Sequence, residues 1–181
     1  CGDLCELDVE RAKEFFEASG FTGTLTLSYN ADGDHKAWTE AVCNQVSQNL
    51  GVECIATPEP DFATLRQKVN ANEMTGMFRT GWVFDYPSIE NFLAPLYTTN
   101  GGANDGNYSS EQFDTLIAEG GASATIDEAN VKYQEAERIL AEDMPVLPLW
   151  NDRSIGGWSE NVAELQFSPR DRVELTSIVL Q

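Results

Sequence analysis

The chain has 181 residues, enough for one domain of ordinary size or slightly more. Hydrophobic residues make up 41% of it, which allows a true core and argues against global disorder. With 11 Lys and Arg against 30 Asp and Glu the net charge is −19, which excludes phosphate-driven nucleic-acid binding and repels the chain from anionic lipid.

No apolar run reaches the roughly 20 residues of a membrane helix, so direct membrane insertion is not expected. The stretch "CGDLCELDVE" is acidic and has no apolar run of the signal-peptide kind. Cysteines stand at positions 1, 5, 43 and 54, and His35 is the one histidine. C-x3-C and C-x10-C fit a zinc site poorly, so no metal is expected. Two disulfides, Cys1–Cys5 and Cys43–Cys54, are the preferred reading, against four buried free thiols. Disulfides would imply an oxidising, extracytoplasmic setting. Lipidation of Cys1 is disfavoured, because a helix pattern begins almost at once.

Taken in chain order, Asp8 caps a helix that shows Val9, Ala12, Phe15, Phe16 and Ser19 on one side and stops at Gly20. "TLTLSY" (24–29) alternates and predicts a strand. Asp34 is the expected N-cap of the next helix, which carries Trp38, Ala41, Val42, Val46 and Leu50 and ends at Gly51. "VECIAT" (52–57) predicts a second strand, and the resulting βαβ unit should be parallel. Asp61 opens a helix with Phe62, Leu65 and Val69 inward, and "TGMFRTGWV" (75–83) reads as a third strand. A helix over 88–94 precedes the Gly/Asn-rich loop 97–109. Ser110 caps a helix bearing Phe113, Leu116 and Ile117, and "TIDE" (125–128) is a capping box for one bearing Ala129, Tyr133, Ala136, Ile139 and Leu140. "PVLPLW" (145–150) suggests an edge strand, and residues 151–181 hold only short strand-like pieces.

Few patterns here carry chemistry. A Ser-His-Asp enzyme needs a base beside its nucleophile, and His35 has no GxSxG elbow to serve. Thirty acids make chance carboxylate pairs inevitable, so a glycosidase pair is not diagnostic. Asn30, Asp32 and Asp34 imitate positions 1, 3 and 5 of a calcium loop, but Gly33 falls at position 4 instead of 6 and Glu40 at position 11 instead of 12. Neither GxGxxG nor a P-loop is present, and no cofactor is expected. One stretch stands out: "RTGWVFDYPSIENFL" (79–93) sets Asp85 among Trp82, Val83, Phe84, Tyr86 and Pro87. A carboxylate in such company is costly unless it is paired. It sits just past a predicted strand end, where α/β sheets place their ligand crevices. It is either a local helix cap or an anchor for a cationic group such as an amine.

The extended stretch "RTGWVFDYPSIENFLAPLY" resembles the signature of the peptide-binding receptors of bacterial ABC importers, family 5 of the extracellular solute-binding proteins. "DVERAKEFFEASGF", "LTLSYNADGDHKAWTEAVCNQVSQNLGVEC", "NDGNYSSEQFDTLIAE" and "ILAEDMPVLPLW" agree with it in order. The resemblance implies an α/β, type II binding-protein lobe: a mixed sheet flanked by helices, with a strand-rich tail. Residues 1–150 would be most of the second, C-terminal lobe, incomplete at its start. Residues 151–181 would be the hinge crossover and tail that join an absent first lobe. The protein would be a receptor, not an enzyme, capturing di- or oligopeptides and delivering them to a membrane permease. It would be extracytoplasmic, tethered through an N-terminus not included here.

By the same resemblance, Asp85 binds the peptide's α-amino group and the backbone of Trp82 and Val83 runs along the peptide. Arg79 and His35 match positions that bind the peptide carboxylate in some members, and Asn70 stands where some carry another arginine. A receptor for an oligosaccharide or a nickel chelate is the alternative within the family. A carboxylate-based hydrolase is the alternative outside it.

Overall fold

The computed structural model describes residues 6–153, 155–170 and 172–181. Cys1 and Cys5, and so their expected disulfide, lie outside the described residues. The chain divides into two compact units, one ending at Gly81 and the other beginning at Trp82.

The first unit runs α1 (Val9–Ala18), β1 (Leu25–Asn30), α2 (Lys36–Leu50), β2 (Cys54–Glu59), α3 (Phe62–Asn70) and β3 (Met77–Phe78). The sheet order is β2-β1-β3, and both pairings are parallel. Leu25 lies opposite Cys54 and Asn30 opposite Glu59, so β1 and β2 pair along their full lengths. Alternation in "TLTLSY" predicts one buried face. In fact Leu27, Ser28, Tyr29 and Asn30 are all buried, because β1 is the central strand and both its faces are covered.

Local signals set the helix ends. The Asp8 carboxylate accepts from the Arg11 N–H, and that of Asp61 from the Thr64 N–H. Gly51 closes α2 at φ 70°, a conformation that costs glycine little. A disulfide joins Cys43, buried in α2, to Cys54, the first residue of β2, across a Cα separation of 4.8 Å.

Three expectations change in this unit, and with them the sequence position of Asp85 relative to the sheet. The residue before α2 is His35, not Asp34, and it makes no side-chain cap. Phe62 and Phe15 are largely exposed, and α1 buries no residue. The third strand shrinks from 75–83 to two residues. Its ladder ends when the Arg79 N–H donates to Ser28 O, after which the chain leaves the sheet. Asp85 therefore lies in irregular backbone seven positions beyond the strand, not at its end.

The second unit contains α4 (Glu90–Tyr97), α5 (Glu111–Gly121) and α6 (Ile126–Asp143). Leu93, Phe113, Ile117, Tyr133 and Ala136 form its buried core. Phe113 is wholly buried, with Tyr97 and Tyr108 edge-on at 6.3 and 6.0 Å between ring centres. Ser110 Oγ accepts the Phe113 N–H, so the cap of α5 also fixes where the central aromatic enters. The Thr125–Glu128 capping box starts α6 as its sequence indicates. Gly120 lets the two helices meet closely: a Cβ there would lie 2.3 Å from the Tyr133 ring.

The predicted helix at 88–94 runs later, to Tyr97, and includes Pro95. Residues 145–150 form no strand; their two prolines remove the donors a ladder needs. The tail has β4 (Val162–Glu164) antiparallel to β5 (Val179–Leu180), and a 3-10 turn at Leu175–Ser177. Between them a small hairpin pairs Phe167 with Val173, with Ser168 N–H donating to Arg172 O and Glu174 N–H to Gln166 O. No described residue beyond 150 is buried. Among the described residues no helix is long and apolar enough to cross a membrane.

Candidate functional site

In the first unit, polar groups gather at the C-terminal ends of the parallel strands, the end at which open α/β sheets bind ligands. Asn30 closes β1 and is 5% exposed. Its Nδ2 donates to Asp32 Oδ1 at 2.7 Å, and Asp32 Oδ2 accepts the Phe62 N–H at 3.2 Å. These bonds, Asn30's foremost, hold the Asp32 carboxyl below the usual carboxylate range. At the end of β2, Glu59 is buried and takes the Lys68 ammonium at 2.7 and 2.8 Å.

Arg79 follows β3 with its guanidinium 5.5 Å from the centre of the Phe62 ring. Burial pulls its pKa below the ordinary guanidinium value, and the Asp32 charge opposes that pull. His35 Nδ1 accepts from the Trp38 indole N–H at 3.2 Å, so a neutral His35 carries its proton on Nε2. Asp32 interacts electrostatically with both His35 and Arg79. The two sequence-selected basic residues thus both lie within the field of one carboxylate, which sequence reading had met only as part of a failed calcium loop. Asn70 accepts from Arg66 at 3.0 Å, an i, i+4 pair on the surface of α3.

In the second unit the organising residue is Asn91, which is 3% exposed. Its Oδ1 accepts the Trp82 indole N–H at 3.2 Å and the Asp85 backbone N–H at 2.7 Å. One carboxamide thus pins both ends of the Trp82–Asp85 turn. Phe84 packs on Phe92 at 6.2 Å, and the Tyr86 hydroxyl donates to Glu90, which raises the Tyr86 pKa. The Asp85 side chain does not cap α4. Ile89 occupies the cap position, and Ser88 Oγ accepts the Glu90 N–H. Its carboxylate instead meets Arg170 Nη2 at 2.9 Å. Asp85 is therefore not the local helix cap of α4, and its carboxylate is paired with a cation of the same chain. Val83 is 63% exposed.

Sequence reading missed Asn91, Asp32 and Arg170. An asparagine inside a helix is a usable signal, since it is a poor helix former and often finds its partner elsewhere. Arg170 carries no local signal, because its partner is 85 positions away.

No family model matches the chain. It is 29% identical over 155 residues to the periplasmic murein peptide-binding protein MppA of Escherichia coli, a match covering 82% of this chain. It is 27% identical over 152 residues to the oligopeptide-binding protein OppA of Bacillus subtilis, covering 79% of this chain. The solved structure of the Escherichia coli murein tripeptide binding protein superposes with a TM-score of 0.69 at 28% identity, over 76% of this chain and 27% of that one. The pheromone receptor PrgZ superposes with a TM-score of 0.81 over 98% of this chain and 35% of that one, at 20% identity, and supports the fold alone. The fold is that of a type II solute-binding protein lobe. The chain is homologous to the peptide-binding members of family 5 of the extracellular solute-binding proteins, and it spans 28% of the length of these curated relatives.

Proposed function

We propose that this chain is part of a substrate-capture receptor of an ABC importer. It takes up di- or oligopeptides outside the cytoplasm and hands them to a membrane permease. The observation that carries this reading is the Asp85 carboxylate. Its backbone is held by buried Asn91, it has no capping duty, and its side chain already accepts a guanidinium. Such a group suits the α-ammonium of a peptide. The peptide-binding relatives support the same ligand class, and the periplasmic names of several support the location.

In this reading the backbone of Trp82 and Val83 runs along the peptide main chain, and Arg79 and His35 serve its carboxylate. Residues 1–150 belong to the second lobe, and 151–181 reach the first lobe of the same receptor. The chain carries no catalytic step; its task is capture and release by closure of two lobes.

Calorimetry on the receptor as its cell makes it tests the reading. Asp85→Asn keeps the shape and removes the charge. Closure around the ligand would bury the ammonium–carboxylate pair, so the loss should be about 2 kcal/mol or more, roughly thirtyfold in Kd. Acetylating the peptide amine should cost a similar amount, and both changes together less than their sum. Equal binding of the free peptide by wild type and Asp85→Asn would sink the assignment.

A further inference from the structure

We propose that Arg170 is a built-in occupant of the Asp85 carboxylate, which a ligand's cationic group must displace. The proposal rests on the reading of Asp85 as the ligand anchor. Arg170 stands at the tip of the hairpin 166–174, whose rungs are Glu174 to Gln166, Phe167 to Val173 and Ser168 to Arg172. Phe167, at the second rung, packs over Gly156 so closely that a Cβ there would lie 2.0 Å from its ring. The hairpin is thus held at its base and presents its tip arginine to Asp85 at 2.9 Å.

Guanidinium and ammonium are alternative counter-ions for a carboxylate, and both use N–H donors. Arg170 therefore offers Asp85 what a peptide amino terminus would offer. Both side chains are partly open to water, at 40% and 58% exposure. Screening makes such a pair weak and readily exchanged. The Asp85 backbone bond to Asn91 does not involve Arg170, so the backbone that carries the carboxylate stays anchored when the arginine leaves. Two consequences follow: Arg170 lowers the affinity for amine-bearing ligands, and occupation of Asp85 frees the hairpin tip.

The test compares wild type, Arg170→Gln and Asp85→Asn in the receptor as its cell makes it, with trialanine and Nα-acetyl-trialanine as probes. Arg170→Gln should bind trialanine about two- to fivefold tighter, the range for loss of an exposed competing pair, and acetylated trialanine as wild type does. Arg170→Lys should stay near wild type. Amide exchange at Ser168 should be faster in ligand-free Asp85→Asn than in ligand-free wild type, and should quicken in wild type when trialanine saturates it. If Asp85→Asn weakens trialanine binding while Arg170→Gln leaves it unchanged or weaker, the amine anchor stands and the occupant is overturned. Ser168 protection that ignores both Asp85→Asn and trialanine also overturns it. If neither wild type nor Arg170→Gln binds trialanine, the peptide reading and this proposal fall together.

Discussion

The helices of the second unit and the tail of the same unit contrast in how they are held. Between Leu93 and Ala136 five side chains form a closed core around Phe113. From 151 onward the backbone finds partners in β4, β5 and the hairpin, but no described side chain is buried. Ile155, Leu175 and Leu180 are each at least 70% exposed. Backbone pairing alone gives a segment its shape, while burial of apolar side chains gives it most of its stability. The tail has the first without the second, and its apolar residues suit a surface contributed from elsewhere, such as the proposed first lobe.

The largest way to break this contrast is truncation on both sides of it. Phe113→Ala should cost about 3–5 kcal/mol, the range for deleting a buried aromatic. Leu180→Ala in this chain should stay within about 0.5 kcal/mol. Denaturant melts of the two variants check this, and a Leu180→Ala loss above about 2 kcal/mol would mean that the tail has a core of its own. Next in size is the disulfide of the first unit, which sharpens the contrast because it supplements a core instead of replacing one. Replacing Cys43 and Cys54 by serine should cost roughly 2–3 kcal/mol, chiefly by freeing the unfolded chain. An unchanged melting profile under reducing conditions would contradict that. The smallest effect belongs to the α6 cap. Thr125→Ala removes half of the capping box and should cost about 1 kcal/mol, read from the same melts. A loss near zero would show that the Phe113 core alone holds the helix start.

Much of the fold was legible because its signals are local. Asp8, Asp61, Ser110 and Thr125 each announce a helix within four residues, and all four cap as expected. Alternation marked β1, and βαβ logic paired it with β2 in parallel. The Cys43–Cys54 pairing also agreed with its sequence reading. What failed was decided at a distance. Residues 75–83 have strand-like composition, yet only Met77 and Phe78 find rungs on β1. Residues 145–150 are apolar but pair with nothing as a strand. At the candidate site, the type and isolation of Asp85 could be read, but its partners could not. Asn91 works from the next helix and Arg170 from a hairpin 85 positions on, and no periodicity connects them.

Gly120 carries a consequence for how this sequence can drift. It sits in the last turn of α5, buried, with the Tyr133 ring where a side chain would begin. A glycine inside a helix gives up roughly 1 kcal/mol against alanine, so neutral variation would normally replace it. Here even a methyl group would wedge α5 from α6 and open the space around Phe113 and Ala136. Position 120 is thus a gate on divergence: a lineage can change its surface charges freely, but it can enlarge this residue only after shrinking Tyr133.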